Sequence, residues 1–564
     1  LIKFLAIPLA ALLVATAFAQ ESQPKREGAI SGRIVADDGQ PMGGALVMVL
    51  RVGKRQTGGL TQMVNSDADG NFKVAGLLSG VYSLMARAPG YVSTQDPSRK
   101  YRIGESAIIQ MSRGGVITGR VTDEFGEPMV GVRVSVNRIR DSEGQPDRGA
   151  WAMNEMVSSR MTDDRGVYRI YGLEAGVYIA GVNGPIQGRT SREPPTYHPS
   201  SPRGAAVEIN LRGAEEVSGV DIRARGGRGR AISGTVSGER QGEEPLHDVI
   251  VRLVGVADKQ VVGMTGLIDG KNFSLRGVDD GEYELVATRS GQIADFALSA
   301  PKRVAVRGSD VNGADLKLMK PGSVSGRVVI EAPAGECKNA DQFKVEEILI
   351  GLKREDKAPG VFAPEIFQDG DALSLGSAAP EKDGGFTVIC LEAGRYRIET
   401  DLPDENWYVR AITQAATPKA VDVSRAGLSL KQGEKITGVE MIIARGAASL
   451  SGRVVPDREG SQLPKRLRAY LIPAEAAAAD DLLRYAEAPV RGGSFEFKHI
   501  APGKYLLYTR QLPEKDANDD QARPLAWDAA ERAKLRREAT AARNEIELKV
   551  CERVKDHVLT FKAR

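Results

Sequence analysis

The chain of 564 residues sets 77 Lys and Arg against 74 Asp and Glu, a net charge of +3, with 41% apolar and 27% charged residues. That balance excludes a mainly disordered chain and a multi-span membrane protein, and it gives no general attraction for nucleic acid or acidic membranes. The 63 Gly and 28 Pro, without a collagen period, mark many tight turns and short strands, while four His and three Cys leave little material for metal or redox chemistry.

Residues 1–19 (LIKFLAIPLAALLVATAFA) read as a signal peptide. Lys3 supplies the positive start, an apolar run follows, and Ala17-Phe18-Ala19 forms a small-x-small cleavage site before Gln20. The run is shorter than a membrane span and is interrupted by Pro8. No later stretch is apolar for 18 residues, so the mature chain is expected to have no membrane span. It is expected to be exported to the periplasm, the cell surface or the extracellular space. Residues 20–27 are a polar leader.

One motif then recurs five times: an apolar residue, Ser or Thr, Gly, usually Arg, then Val or Ile. Its copies start at Ile30, Ile117, Ile232, Val324 and Leu450. Period-two alternation makes each a half-buried strand. A second motif follows each copy: a turn, an aromatic-led strand, a short loop and Gly-x-Tyr. Its tyrosines are Tyr82, Tyr178, Tyr283, Tyr396 and Tyr505. Each suits a buried ring at a sandwich corner with its hydroxyl tied back to the chain, so all five are expected to be structural. A third motif, strand–Gly–strand, closes several units, for example around Gly213, Gly308 and Gly433.

The expected fold is all-β: a tandem array of about five antiparallel, seven-stranded Greek-key sandwiches. The units span 28–112, 114–226, 230–320, 322–445 and 447–564. Short linkers between them imply a semi-rigid rod or arc. Two segments of the last unit break the β pattern. Residues 473–488 (Pro first, then Ala-rich) read as a short helix, and 526–543 as a longer one with Trp527 as its anchor and basic residues mostly in its middle and C-terminal half. An oxidising compartment leaves two readings for the cysteines: a Cys337–Cys390 disulfide within the fourth unit, or two buried thiols, with Cys551 left over. Cys390 falls where the first unit has Gly76, which implies a different turn there.

These motifs resemble the carboxypeptidase regulatory-like domain, a transthyretin-type seven-stranded sandwich. The pattern Ser-Gly-Arg-Val, turn, Pro, then Asp-x-x-Gly-x-Phe/Tyr, then Leu/Val-x-x-Gly-x-Tyr carries the resemblance. It is strongest in the first two units and weakest in the third, where Thr235 replaces the Arg. The resemblance implies exported, non-catalytic modules with binding, spacing or surface roles. Related collagen-adhesin B-type modules carry a Lys–Asn crosslink, but the first-strand position here holds Arg33, Arg120, Thr235, Arg327 and Arg453, none of which forms that amide.

The residues three beyond His198, His247, His499 and His557 are Ser201, Ile250, Pro502 and Thr560, so the His-x-x-Glu of a zinc carboxypeptidase is absent from the sequence. Asn65, Asp67, Asp69 and Gly70 begin like a calcium loop, but position twelve is Gly76, so a turn is expected. Arg223, Arg225, Arg228 and Arg230 read as a solvated linker or, less simply, an anion contact. Trp407, Tyr408, Trp151 and Tyr197 lie outside the framework motifs and are the candidate ligand platform. No catalytic residue, cofactor or metal is expected. Protein partners or the chain itself lead as binding partners, polysaccharide follows, and nucleic acid is not expected. The function so read is an exported, non-catalytic scaffold or binding protein, with a carbohydrate-binding accessory protein as the alternative and an enzyme as a remote one.

Overall fold

The computed structural model describes residues 28–562, apart from 54–59, 97–98, 143, 145–158, 183–192, 239–244, 259, 290–295, 332–336, 338–342, 356–375, 416–419, 459–460, 465 and 513–523. The signal peptide, the leader and Trp151 lie outside the described residues.

Alternating strands dominate, and they pack face to face. The first sandwich is built from β1 (Gly28–Ala36), β2 (Leu46–Val52), β3 (Leu60–Asn65), β4 (Asn71–Leu77), β5 (Val81–Arg87), β6 (Tyr91–Ser93) and β7 (Ser106–Arg113). One sheet runs β4-β1-β7-β6 and the other β3-β2-β5. Ile30, Ile34, Val47, Val49, Phe72, Val74, Tyr82, Ile109 and Met111 fill the space between them. Similar sheet pairs enclose separate cores around Ile117 and Tyr168, around Val324 and Met441, and around Leu450 and Tyr505. Around Ile232 and Phe273 the two faces are one continuous eight-stranded sheet.

The ladders are antiparallel except at one recurring place. The strand carrying the Ser-Gly motif lies beside the last strand of its own sandwich and runs parallel to it, as in Ser31–Ala36 against Ser106–Met111. The same parallel pairing recurs in the other four.

The recurring residues hold this framework by contacts that also recur. A Cβ on Gly32 would sit 2.2 Å from the Ala107 carbonyl oxygen and 2.5 Å from the Phe72 ring. One on Gly452 would sit 2.0 Å from the His557 oxygen and 3.0 Å from the Phe495 ring. Only glycine lets the parallel neighbour and the aromatic ring close over the strand. The following Arg reaches the turn of the second motif. Arg33, Arg120 and Arg327 each donate through Nε, at 3.0 Å, to the carbonyls of Asp69, Arg165 and Asp383. The turn is shaped by its own Asp: Asp67 Oδ1 accepts from the Asp69 and Asn71 amides, and Asp163 Oδ1 from Arg165 and Val167. Each of the five Gly-x-Tyr hydroxyls donates to the carbonyl four residues upstream, at 2.5 to 2.9 Å, in Leu78, Glu174, Asp279, Glu392 and Ala501. Four of the rings are buried and Tyr283 is half-buried against its core.

Several expectations are corrected. The disulfide joins Cys337 to Cys551, not to Cys390, so it staples the fourth sandwich to the fifth. Cys390 is a buried thiol packed with Phe296 and Leu298 of the third sandwich. The turn at Cys390 does not differ from that at Gly76. Gly76, Gly172 and Gly277 have φ of 72°, 75° and 70°, and Cys390 and His499 adopt the same left-handed bulge at 60° and 57°. A side chain there costs about 1–2 kcal/mol relative to glycine. In both cases the side chain packs toward the preceding sandwich.

Residues 473–488 form no α-helix. They hold two 3-10 turns, Ala476–Ala478 and Leu482–Arg484, and the strand Ala486–Pro489, which pairs with Leu467–Pro473. The edge of that sheet offers these residues hydrogen bonds that outweigh alanine's helix preference. The longer helix does form, as Ala529–Ala542, with Asp528 capping the Ala530 and Glu531 amides. Its anchors are Leu535 and Ala539 against Tyr470, Ile472 and Leu506, not Trp527. Its basic residues Arg532, Lys534, Arg536 and Arg537 sit in its middle turns. Arg536 donates to the Pro473 and Ala474 carbonyls, and Arg532 pairs with Asp480 at 2.8 Å.

The array is not a straight rod, because the first sandwich touches the fourth. The Gly53 carbonyl accepts from the Ala379 amide at 2.8 Å. Arg102 donates to the Glu347 carbonyl at 3.0 Å and to Asp401 Oδ1 at 2.6 Å. Burial raises the Glu347 and Glu105 carboxyls above their usual range and lowers the Lys100 ammonium at this contact. Arg225, read as linker, grips Asp279 of the third sandwich through both carboxylate oxygens. No helix among the described residues is long and apolar enough to cross a membrane.

Candidate functional site

The contact between the first and fourth sandwiches leaves an open cleft of about 760 Å³. Its floor is the outward face of two parallel strands, Gly322–Ile330 and Lys435–Arg445, and the neighbouring strand Gly385–Leu391. Alternation sends Val324 and Val328 into the core and turns Ser325 and Arg327 outward. Ala378 and Ala379 form one wall beside Gly53 of the first sandwich.

Charge in the cleft is mixed. Arg327 faces Asp383 at 3.7 Å, and Glu381 and Glu440 add two further carboxylates. Ser325 and Thr387 offer hydroxyls, and Ser325 Oγ donates to the Ile436 carbonyl at 3.5 Å. Such a lining suits a polar ligand or polypeptide segment held by hydrogen bonds and charge. The residues lining it include no His or Cys. Among the described residues no group of three or more His, Cys, Asp and Glu is placed to hold a metal ion.

Among the described residues, the candidate platform aromatics Trp407, Tyr408 and Tyr197 do not gather here. Trp407 is only 6% exposed, with its ring edge-on to Phe343 at 5.0 Å. Its carbonyl meets His499 Nδ1 at 2.9 Å across the seam to the fifth sandwich. Tyr408 is half-buried in the same strand, and burial raises its phenol. Tyr197 belongs to the second sandwich and is 4% exposed. Its hydroxyl accepts from Arg203 at 3.3 Å, and that guanidinium lies 5.6 Å from its ring centroid. Trp407 and Tyr197 are therefore packing residues: an aromatic platform needs an open face, and theirs are covered. The Asp67 turn likewise spends its carboxylate on its own backbone. Sequence reading missed the Arg102 contact, since nothing local marks an Arg whose acceptors lie about 250 to 300 residues away. It read Ser325 and Arg327 only as members of the recurring strand motif, although strand alternation places both on the outward face.

Residues 29–110 match the family model of the carboxypeptidase regulatory-like domain. The match covers the first sandwich, and the later ones share its motifs. No curated protein matches the chain. Among solved structures, the TIE protein of Bacillus anthracis is similar at 17% identity over 52% of this chain and 50% of its own, with a TM-score of 0.14. This chain thus spans half the length of that structure. The minor pilin GBS52 of Streptococcus agalactiae shares 14% identity over 36% of this chain and 97% of its own, TM-score 0.19. Two B repeat units of the collagen-binding protein of Staphylococcus aureus share 10% over 74% and 99%, TM-score 0.13.

Proposed function

We propose that this chain is an exported, non-catalytic scaffold or binding protein of the cell envelope or extracellular space, built from sandwich modules at 28–112, 114–226, 230–320, 322–445 and 447–564. One observation carries the reading: the residues that recur are spent on holding the framework. The Ser-Gly glycines admit a neighbouring strand, the arginines and aspartates shape one turn, and the five tyrosines tie one corner. A repeated unit whose recurring residues all serve packing is a structural module, and its partners are met by what does not recur. The Cys337–Cys551 bridge supports an oxidising destination. The cleft, with its hydroxyls and mixed charge, supports a polar protein segment, including one from another copy, as the bound species.

The test uses the chain from Gln20 onward. Sedimentation velocity across a concentration series, with a parallel array of extracellular proteins and glycans, should show self-association or protein binding that weakens in the Glu440→Arg variant. Hydrolysis of a peptide, ester or glycoside panel that co-purifies with the chain would overturn the reading, and so would glycan binding without any protein contact.

A further inference from the structure

The outward face of the sheet β3-β2-β5 carries a row of three methionines. Met48 in the central strand is the register partner of both Met63 in β3 and Met85 in β5. Its chain neighbours Val47 and Val49 are wholly buried in the core, so Met48 points away from it, and directly paired residues share its face. Met63 is 55% exposed, and Met48 and Met85 are half-buried. Three thioethers therefore stand side by side at the surface, on strands about 4.8 Å apart.

The framework does not ask for methionine here. The same row, between two inward residues of the central strand, holds Ser159, Ser135 and Gly181 in the second sandwich. It holds Met264, Arg252 and Val286 in the third, Ser377, Gly351 and Glu399 in the fourth, and Glu487, Tyr470 and Tyr508 in the fifth. Only the first sandwich sets three sulfurs abreast.

We propose that Met63, Met48 and Met85 form a binding site for a soft monovalent metal ion, copper(I) or its analogue silver(I). Neutral thioethers are poor ligands for hard or borderline cations and select soft ones such as copper(I). Each side chain has three rotatable bonds, so the outer two lean over the middle one and bring three sulfurs around one ion without moving the backbone. The ion binds without a redox step and displaces only water. Arg87 on the next row is the nearest cation in register, facing Leu46. It lies outside the triad and keeps doubly charged ions at a further disadvantage. The site is independent of the cleft and of the scaffold reading.

The test titrates silver(I), in chloride-free buffer, into the full chain from Gln20, with copper(I) in competition with a coloured chelator as a second probe. One ion should bind, with sulfur as its only near neighbour by X-ray absorption, and it should protect Met63 from oxidation to the sulfoxide by peroxide. Met48→Leu keeps the side-chain volume and should fold normally. It should weaken silver binding by at least the ~10–100-fold that loss of an outer-shell partner costs a metal site. Met85→Leu should do the same, and Met161→Leu, at the exposed methionine of the second sandwich, should change nothing. Unchanged affinity in Met48→Leu and Met85→Leu, absence of binding at stoichiometric silver, or nitrogen and oxygen neighbours at the bound ion would each overturn the proposal.

Discussion

The fourth sandwich meets the first and the fifth through contacts of opposite chemistry. Against the first it sets a backbone hydrogen bond and the Arg102–Asp401 pair, with Lys100, Glu105 and Glu347 partly desolvated around them. Against the fifth it sets a disulfide, the His499–Trp407 hydrogen bond, Arg553 donating to Asn406 Oδ1, and a Lys498–Glu405 pair at 2.7 Å. The ionic contact must offset the cost of taking its charges from water, so it aligns the partners more than it binds them. The covalent contact holds whatever the solvent does. The difference teaches that the array has a fixed end, the fourth and fifth sandwiches together, and a releasable one at the first.

The largest break in that picture comes from inside a sandwich. Tyr505→Ala removes a wholly buried ring and its hydrogen bond to Ala501, and should cost about 3–5 kcal/mol. Calorimetry should show the transition of the fifth sandwich fall while that of the first stays in place. A uniform shift of all transitions would mean that the sandwiches melt as one body. Next comes the staple. Replacing Cys337 and Cys551 by Ser should cost about 2–5 kcal/mol, confined to the fourth and fifth. Non-reducing peptide mapping should first find the 337–551 bridge, with Cys390 outside it.

A smaller effect on stability, about 1 kcal/mol, is expected for Arg102→Leu, since Asp401 is 42% exposed and solvent screens the pair. Its readout is shape. Small-angle scattering should show a larger radius of gyration in the variant, with the melting transitions nearly unmoved. An unchanged radius would mean that Gly53 and its neighbours alone hold the first sandwich in place. The smallest effect is acidic. Burial holds the His499 imidazole below its ordinary value, with only partial recovery from the Trp407 carbonyl, Asp401 and Glu405. The fold therefore keeps a neutral ring where the unfolded chain takes up a proton as pH falls through about 6.5. Stability should decline on acidification from that point down to the lowered folded pKa. His499→Asn, which tolerates the left-handed backbone, should flatten that slope in urea titrations at pH 7.5 and 5.5.

The framework was legible because it repeats. Five copies of a Ser/Thr-Gly strand and five Gly-x-Tyr corners expose their roles by coincidence of spacing, and period two gives the buried face. The parallel pairing was not legible, since a strand's partner is set by topology and not by its own pattern. Nor were the seams. Cys390 fits a bulge that sequence places at Gly76, yet its packing against Phe296 and Leu298 depends on where the third sandwich lies. The Cys337–Cys551 bridge spans two sandwiches, and cysteine counting within one unit favours the nearer partner. Residues 473–488 misled because alanine content argues for helix while an open sheet edge decides for strand. The aromatic candidates misled differently: Trp407 sits in a strand, Trp407–Gln414, whose face is covered by Phe343 and the neighbouring sandwich.

The parallel pairing of first and last strands has a mechanical meaning. In the first sandwich the chain enters at the start of β1 and leaves at the end of β7, its direct neighbour, six residue pairs long. A pull on the two ends slides these strands past each other, loading every hydrogen bond between them at once rather than peeling them singly. The fourth and fifth sandwiches carry longer parallel ladders, from Ser323 to Ile330 and from Ser449 to Pro456. The second and third offer only broken ladders: two short stretches of two pairs in the second, and in the third Val236 and Ser237 against Leu316 and Lys317 with a single bridge at Ile232 and Val311. Under tension the middle of the array is its fuse, and the stapled end is the part that stays folded.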